Sequence, residues 1–306
     1  MNDLPTQPVS AARRARVVQE QAELVATTRV GAYQHLTLSS PGVAGLARPG
    51  QFVALAVGDE SSGTLLRRSF SIHKVTPGPS SDGAGGTVEI VVSAVGAGTR
   101  WITSRQVHDR IDVVGPVGRA FPLPTAPVPC VLVGGGYGSA PLFWLAGELR
   151  ERGCTVDIVL GAASEDRLFG VLEARRSCDG VTVTTDDGSA GVQGWVSDVL
   201  PDVIDRRGAG VVYACGPMGM LRAVSDVAAA HGAVAQVAVE EAMACGIGIC
   251  MTCVMPVVGS DGLTRMVRSC VEGPVFRGDR VRWDAVTATG AVVPPDAVGA
   301  PRAVTR

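Results

Sequence analysis

Four of the chain's cysteines fall close together in its C-terminal third. They are Cys245, Cys250, Cys253 and Cys270. The first three follow the spacing C-x4-C-x2-C, with which one class of electron-transfer proteins holds a [2Fe–2S] cluster on four thiolates. Gly246 and Gly248 lie between the first two cysteines, where the backbone must curl tightly around the cluster. The pattern therefore predicts a [2Fe–2S] site whose fourth ligand arrives from a separate segment.

A structural zinc site and ordinary buried thiols are the alternative interpretations of these cysteines. Structural zinc usually uses two separated Cys-x2-Cys hooks, and this region contains one, from Cys250 to Cys253. The chain has 8 cysteines in all, and its N-terminal stretch, MNDLPTQPVSAARRARVVQEQ, lacks the apolar core of a signal peptide. We therefore expect a reducing, cytoplasmic location and no disulfide framework.

A segment in the N-terminal third has the character of a flavin site. Its sequence is RRSFSI, residues 67–72. Arg68 offers permanent bidentate donors to a pyrophosphate, and Phe70, on the same strand face, can lie against an isoalloxazine ring. Further along, Gly98 and Thr99 offer backbone N–H groups and a hydroxyl to a phosphate. The first motif alone fits an exposed arginine on an edge strand equally well, but the two motifs in this order favour FAD.

Two glycine-containing turns in the second half predict a nucleotide site. VGGGYGSAPL, residues 133–142, lies between a strand and a helix, and ACGPM, residues 214–218, ends a later strand. Glycines let phosphates approach the backbone at a helix N-terminus, and open α/β sheets bind ligands at the carboxyl ends of their strands. The first turn is not the common G-x-G-x-x-G fingerprint, and glycine turns also occur for steric reasons alone. Cys215 by itself is most simply a buried thiol.

The segments around these motifs predict an α+β multidomain fold. Over residues 21–125, short apolar or β-branched runs are separated by turn residues, which indicates an antiparallel flavin-binding β-barrel. The proline-rich run FPLPTAPVP then marks a domain boundary. Residues 130–235 alternate strands and helices, which predicts a doubly wound α/β nucleotide-binding domain. Residues 236–284 form a small [2Fe–2S] cysteine domain, with a flexible arm over residues 1–20 and a flexible tail over residues 285–306.

Composition and charge exclude several classes of function. The formal net charge is −2, which gives no electrostatic attraction for nucleic acid or an anionic membrane. Two uncharged stretches, residues 121–147 and 242–260, are interrupted by prolines, glycines or cysteines, and neither predicts a membrane span. The 4 histidines stand in isolation along the sequence, and no constellation for general acid–base catalysis is visible. Redox chemistry carried by cofactors fits this pattern.

Taken in order, the motifs resemble those of the iron–sulfur flavoprotein subunits of class 1B dihydroorotate dehydrogenases, in the ferredoxin reductase superfamily. The resemblance covers roughly residues 21–284. Its most specific parts are EEAMACGIGICMTC, residues 240–253, and RSCVEGPVF, residues 268–276. LRRSFSI is similar to the family's FAD strand, although Ser69 stands where proline is usual. Ser93 replaces a basic residue often found in the next flavin segment.

The resemblance implies binding residues for each cofactor, and no residue is predicted to be catalytic. The residues expected to hold FAD are Arg68, Ser69, Phe70, Ser71, Val91, Val92, Ser93, Gly98 and Thr99. The residues expected to receive NAD are Gly134, Gly135, Gly136, Tyr137, Gly138, Cys215, Gly216 and Pro217. The expected cluster ligands are the four clustered cysteines.

The resemblance also implies a relay with a partner protein. A separate FMN-containing catalytic subunit would oxidise dihydroorotate in pyrimidine biosynthesis, in a hetero-tetramer with two copies of each subunit. Electrons would pass through the [2Fe–2S] cluster to FAD and leave as hydride to NAD⁺. A flavin must stand between the other two groups because a cluster carries one electron and a nicotinamide takes two. The alternatives are a ferredoxin-reductase-like NAD(P)H oxidoreductase subunit serving a hydrogenase or a ferredoxin, and a non-catalytic metal-binding scaffold.

Overall fold

The computed structural model describes residues 16–59, 62–78, 85–287 and 289–300. Most of the predicted N-terminal arm and the end of the predicted tail therefore lie outside the described residues. Within those ranges, no helix combines the length and the apolar character needed to cross a membrane.

Six antiparallel strands form the first domain. They are β1 (Val18–Val30), β2 (Tyr33–Ser39), β3 (Phe52–Leu55), β4 (Arg68–Thr76), β5 (Thr87–Val92) and β6 (Arg110–Val117). They close into a barrel in the order β1-β2-β5-β4-β3-β6, which confirms the predicted architecture. Alternate side chains point inward, as in β2, where Leu36 and Leu38 are fully buried. β1 begins before the predicted boundary at residue 21 because its first residues already pair with β6.

Two short helices complete the barrel domain. They are α1 (Pro41–Ala44) and α2 (Ala97–Thr103). α2 follows β5 directly and carries the two predicted phosphate-binding residues of the flavin site.

The second domain alternates strands and helices as predicted. Its elements are β7 (Cys130–Gly135), α3 (Ala140–Glu151), β8 (Val156–Ala162), α4 (Val171–Ser177), β9 (Gly180–Thr185), β10 (Val192–Gln193), α5 (Val196–Arg207), β11 (Val211–Cys215), α6 (Met218–Ala230) and β12 (Val234–Ala238). These strands are parallel, in the order β10-β9-β8-β7-β11-β12. On one face α3 and α4 bury side chains such as Leu142 and Ala174. On the other face α5 and α6 bury Leu200 and Leu221, so the sheet is doubly wound.

The predicted cysteine domain is joined to the nucleotide-binding domain through the large sheet. It contains a hairpin of β13 (Val254–Val258) and β14 (Thr264–Arg268), followed by β15 (Val275–Arg277). β15 pairs antiparallel with β12 and becomes the seventh strand of the large sheet. The predicted boundary at residue 236 falls inside β12, so the two predicted domains share one sheet. The returning strand covers an edge that would otherwise be unpaired.

The predicted flexible tail is folded in its described part. Residues 285–300 include the short strands β16 (Val286–Thr287) and β17 (Gly290–Ala291). Ala297 is buried, and the Val298 N–H donates to the carbonyl oxygen of Thr264 at 2.8 Å. Val286 and Ala291 pack against the apolar cluster that contains Met255 of the cysteine segment.

Candidate functional site

The four predicted cluster ligands lie on the loop after β12 and on the turn after β14. Cys253 and Cys270 are buried, at 2% and 0% exposure, and share an apolar cluster with Phe52 of the barrel. Cys245 is partly buried and Cys250 is exposed. The fold thus brings two thiols into an apolar interface and leaves one at the surface.

The sulfur atoms form two pairs. The backbone N–H of Cys250 donates to Cys245 Sγ at 3.4 Å, and the thiols of Cys253 and Cys270 contact each other. Among the described residues, no group of three or more ligand atoms within 4.8 Å of one another includes these cysteines. A tetrahedral zinc ion with Zn–S bonds of about 2.3 Å would hold all four sulfurs within about 4 Å of one another. The pairs instead fit a cluster of two iron atoms, each held by two thiolates.

Two glycines in left-handed conformations curl the cluster loop. Gly246 and Gly248 have φ angles of +69° and +86°, which other residues rarely adopt. A Cβ on Gly248 would lie 2.4 Å from Val271 Cγ2, so the loop touches the turn that carries the fourth cysteine. The curl also aims the N–H of Ile249 at Cys245 Sγ, at 3.3 Å. Such donors stabilise the thiolate form that iron requires.

The thiols of Cys250 and Cys270 differ in acidity. The hydroxyl of Thr252 donates to Cys250 Sγ at 3.2 Å. This bond, together with backbone N–H donors and the neighbouring thiol, lowers the pKa of Cys250 to about 6. Burial, reinforced by the adjacent thiol of Cys253, raises the pKa of Cys270 to about 12. Cys250 is therefore ionised at neutral pH, whereas Cys270 releases its proton when metal binds.

Two residues that support the cluster loop were not predicted as site residues. Thr252 is one, and Arg268 is the other. Arg268 Nη1 donates to the carbonyl oxygen of Gly248 at 2.8 Å, and its Nη2 donates to Glu272 Oε1 at 2.8 Å. This clamp ties the loop to the turn after β14. Both residues lie within two positions of a predicted cysteine ligand. This proximity is the one feature of the sequence that indicates a role at the cluster.

The two adjacent arginines at the start of β4 have different surroundings. Arg67 forms an ion pair with Asp112 and also donates to the carbonyl oxygens of Ala54 and Asp112, at 3.3 and 3.1 Å. Arg68 donates to the carbonyl oxygens of Leu66 and Arg67, and no ion pair with it occurs in the described part of the chain. Arg67 therefore joins β3 and β6, while Arg68 keeps its charge available for an anion.

The predicted phosphate-binding residues of the flavin site lie beside Arg68. A Cβ on Gly98 would lie 2.8 Å from Arg68 Nε, so the start of α2 meets the guanidinium directly. Thr99 Oγ1 accepts a hydrogen bond from the N–H of Gly96 at 2.9 Å and closes the turn. The first N–H groups of a helix lack partners within that helix. Backbone donors and a cation thus converge at one point, as binding of a pyrophosphate requires.

The other predicted flavin residues differ in exposure. Ser69, Phe70 and Ser93 are half-buried, and Ser71 is exposed. Val91 and Val92 are 5% and 1% exposed. The side chain of Val91 packs in the core shared with the nucleotide domain, and that of Val92 packs inside the barrel. Only the backbones of these two valines are therefore available to a flavin.

The two predicted nucleotide turns pack against each other. Gly134, Gly135, Gly136, Tyr137 and Gly138 run from the end of β7 toward α3, and Cys215, Gly216 and Pro217 run from the end of β11 toward α6. A Cβ on Gly138 would lie 2.8 Å from Gly216 Cα, and one on Gly135 would lie 2.8 Å from Pro217 Cδ. The glycines permit this close approach, so the two turns form one surface at the carboxyl ends of the strands. Dinucleotide phosphates bind at such a place.

Tyr137 and Glu240 border this surface. The Tyr137 hydroxyl donates to Glu240 Oε1 at 3.1 Å, and its ring lies 5.5 Å from that of Tyr33 on the barrel. Burial, with the nearby carboxylate of Glu240, raises the pKa of Cys215 to about 12. Cys215 is therefore a neutral thiol at physiological pH. Glu240 was not among the predicted site residues, although it follows the carboxyl end of β12, where ligands of such sheets bind.

The barrel touches both the cluster loop and the nucleotide turn. A Cβ on Gly246 would lie 3.4 Å from Ser69 Oγ on β4, and Ser69 adjoins Arg68. On the other side, the Tyr33 hydroxyl donates to the carbonyl oxygen of Arg167 at 2.9 Å, next to its contact with Tyr137. The predicted flavin residues therefore lie in a domain that meets the other two sites directly.

Comparison with known proteins decides the family. Residues 240–282 match the iron–sulfur cluster binding domain of dihydroorotate dehydrogenase B. The NAD⁺-dependent dihydroorotate dehydrogenase B electron transfer subunit of Geobacillus thermodenitrificans is 41% identical over 80% of this chain and 91% of its own length. That of Desulforamulus reducens is 34% identical over 82% and 92%. The chain belongs to the dihydroorotate dehydrogenase B electron transfer subunits.

Solved structures agree with this fold. A NADH-dependent reduced ferredoxin–NADP oxidoreductase has a TM-score of 0.73 and 31% identity, over 87% of this chain and 91% of that one. The ferredoxin reductase of carbazole 1,9a-dioxygenase has a TM-score of 0.58 and 22% identity, over 71% and 67%, so that likeness concerns the fold alone. The predicted relation to the ferredoxin reductases is confirmed.

As a dihydroorotate dehydrogenase B electron transfer subunit, the chain is an oxidoreductase subunit that works with a catalytic partner subunit. The predicted cofactor set, an iron–sulfur cluster with FAD and NAD(H), is confirmed. The assignment of individual residues to each cofactor stays a prediction.

Proposed function

We propose that the chain passes electrons from a dihydroorotate-oxidising, FMN-containing catalytic subunit to NAD⁺, in a cytoplasmic hetero-tetramer with two copies of each subunit. The observation that carries this proposal is the close approach of Gly246 in the cluster loop to Ser69 on the flavin strand, where an added Cβ would lie 3.4 Å from Ser69 Oγ. It supports direct electron exchange between a [2Fe–2S] cluster and FAD. The names of the relatives support dihydroorotate as the source of the electrons.

An exposed apolar rim around the cluster loop supports docking of the partner at this site. Its members are Ile247, Ile249, Met251 and Val271, which are 47%, 76%, 51% and 38% exposed. Apolar side chains grouped on a surface in this way are typical of protein–protein contacts. They surround the exposed Cys250, so a partner that covers the cluster rim would bring its own redox group close to the cluster.

The chain's own residues bind and orient the other two groups. Arg68, the backbone at Gly98 and the hydroxyl of Thr99 would hold the FAD pyrophosphate, while Phe70 and Ser71 would contact the ring. FAD, when bound, exchanges single electrons with a cluster and a hydride with a nicotinamide. The paired glycine turns would hold the phosphates of NAD⁺. Cys215, as a neutral thiol, would line the nicotinamide end without reacting with it.

Anaerobic reconstitution tests this function. The purified chain, with its flavin and iron contents measured, is mixed with an FMN-containing class 1B catalytic subunit, and NADH formation is followed after addition of dihydroorotate. We expect NADH only when both subunits are present, and a complex whose mass by light scattering fits two copies of each. NADH formation by the catalytic subunit alone, or a complex that forms without producing NADH, would overturn the proposal.

Electron transfer from a reduced ferredoxin to NAD⁺ is the second candidate function. A NADH-dependent reduced ferredoxin–NADP oxidoreductase matches most of the chain at 31% identity. The same assay with reduced ferredoxin in place of the catalytic subunit separates the two. Faster NADH formation with ferredoxin would favour this candidate. A colourless protein without flavin bands, iron or acid-labile sulfide would leave only the scaffold alternative.

A further inference from the structure

Three side chains of metal-binding type converge on the outer face of the barrel, outside the cofactor sites described above. His35 on β2, Glu89 on β5 and His73 on β4 come from three adjacent strands. Their donor atoms all lie within 4.8 Å of one another, and the two imidazole rings are 5.1 Å apart. Histidines expected to stand in isolation are therefore neighbours, because strand pairing joins distant parts of the chain.

A bulge in β4 directs His73 toward this point. The register of β4 against β5 shifts between Ile72 and Lys74, so His73 is the extra residue. Bulges of this kind redirect a side chain and are frequent next to functional sites. His73 is 3% exposed, and its Nδ1 donates to the carbonyl oxygen of Ala140 at 2.6 Å. That hydrogen bond fixes the tautomer whose Nε2 lone pair is free to bind a cation.

His35 and Glu89 face each other at short range. His35 Nε2 lies 2.9 Å from Glu89 Oε2, which is hydrogen-bonding distance. Ligand atoms on one tetrahedral zinc ion, each about 2.0–2.1 Å from it, lie about 3.3 Å from each other. A widening of this contact by a few tenths of an ångström would therefore let both atoms bind one shared ion.

The nucleotide domain supplies a fourth donor and a route of access. Glu173 on α4 has its Oε2 3.7 Å from His73 Nε2. A cavity of about 620 Å³ reaches this point and is lined by His35, His73 and Glu173 among others. The carboxylates of Glu89 and Glu173 make this point acidic, and a divalent cation would compensate their charge.

We propose that His35, His73 and Glu89, with Glu173 as fourth ligand, bind one divalent ion of the Zn²⁺ type between the barrel and the nucleotide domain. Two imidazoles with carboxylates suit Zn²⁺, whereas Mg²⁺ and Ca²⁺ favour sets made of oxygen alone. Ala140, which accepts the hydrogen bond from His73, begins α3 directly after the nucleotide turn. The bound ion therefore ties that turn to the barrel.

Zinc binding to the complete protein tests this site. Protein with measured iron, sulfide and FAD contents is stripped of loosely bound metal, incubated with Zn²⁺, desalted and analysed by mass spectrometry for zinc. We expect one zinc per chain and a higher melting temperature, because a ligand that binds only the folded state stabilises it. The variants His35→Gln and Glu89→Gln should lose the zinc and the rise in melting temperature, while keeping iron and FAD. Equal zinc in these variants, or none in the unaltered protein, would overturn the proposal.

Two further variants and a spectroscopic measurement complete the test. His231→Gln removes a histidine that forms a comparable pair with Asp205, at 2.7 Å, and should leave zinc binding unchanged. Glu173→Gln should weaken zinc binding at least severalfold. Because this side chain is part-exposed, the variant should fold even where a substitution inside the barrel prevents folding. X-ray absorption at the zinc edge should show nitrogen and oxygen ligands at about 2.0–2.1 Å. Sulfur ligands at about 2.3 Å would mean uptake by the cysteines and would count against the site.

Discussion

Among the single residues of the cluster site, Cys250 is the predicted ligand whose thiol reaches the surface. Serine in its place keeps the size of the side chain but removes a soft thiolate, which iron–sulfur clusters require. Cys250→Ser should therefore lower the iron and sulfide contents and reduce dihydroorotate-driven NADH formation to background. FAD should stay bound, because the Arg68 site is built from other segments. Metal analysis, the flavin spectrum and the reconstituted assay check this.

The matched control for this variant is Cys178→Ser. Cys178 is a half-buried thiol at the end of α4, outside the cluster loop, and burial raises its pKa to about 11. This variant should keep iron, FAD and activity. A Cys250→Ser protein with full iron content and full transfer would remove Cys250 from the ligand set.

Arg68 and Arg67 offer a second comparison of neighbouring residues. Arg68→Ala removes the cation beside Gly98. Charge-assisted hydrogen bonds are worth about 1.5–3 kcal/mol, so FAD should bind about ten- to a hundredfold more weakly. Arg67→Ala should instead lower the melting temperature, since Arg67 pairs with Asp112 and bonds two strands. Flavin fluorescence titration and thermal unfolding separate the two. Equal FAD affinity in the Arg68→Ala and unaltered proteins would contradict the phosphate role.

At the scale of single residues, the sequence predicts most where chemistry fixes the spacing of the residues. Three thiolates that must surround one small cluster leave a local pattern, so the cysteine loop was predictable from residues 245–253 alone. The different roles of Arg67 and Arg68 were not, because they depend on Asp112, which follows on another strand. The cluster of His35, His73 and Glu89 was missed for the same reason, and the bulge that aims His73 has no sequence signature here.

Some secondary-structure elements are predictable from local sequence patterns, and others depend on distant parts of the chain. The six barrel strands and the alternation of strands and helices were predictable, because apolar periodicity and turn residues are local signals. The pairing of β15 with β12 was not, since a three-residue strand carries little pattern. The tail was predicted to be flexible from its alanine, valine and proline content. Its described part packs because partners exist on the cysteine segment, which composition cannot reveal.

Packing of the nucleotide turns leads to a prediction about Gly138. In Gly138→Ala the added Cβ would lie 2.8 Å from Gly216 Cα and 3.0 Å from the carbonyl oxygen of Cys215. Both are backbone atoms, so the turns must separate, and overpacking of this kind costs about 1–3 kcal/mol. The KM for NAD⁺ should rise roughly tenfold, while the iron content and the flavin spectrum stay unchanged. Steady-state kinetics with varied NAD⁺ measures this.

Gly147→Ala is the control for this substitution. Gly147 lies on the exposed side of α3, and an added Cβ would meet nothing within 4 Å. Alanine there should stabilise the helix by about 0.5–1 kcal/mol and leave the KM unaltered. If Gly138→Ala and Gly147→Ala had the same KM, the turns would not form the nucleotide surface.

At the scale of the whole molecule, the three predicted domains depend on one another. Cys253 of the cluster loop and Cys270 of the turn after β14 pack against Phe52 of the barrel, and β15, which follows that turn, completes the nucleotide sheet. A relay needs its groups held at fixed distances, and this interlocking supplies that rigidity without long linkers. The apolar rim at the cluster therefore belongs to a rigidly packed part of the protein. Docking of a partner there should require little rearrangement of the backbone.

Ile249 is the most exposed residue of this apolar rim, at 76%. Ile249→Asp places a charge where the partner would remove water, and loss of a central apolar anchor typically costs about 2 kcal/mol or more, so the catalytic subunit should bind roughly thirtyfold more weakly. Iron, FAD and reduction of an artificial acceptor by NADH should remain, because none of these needs the partner. Trp195→Asp, at an exposed apolar residue before α5, should leave binding intact. Calorimetry with the catalytic subunit measures both variants, and equal affinity for the two would move the docking surface away from the cluster.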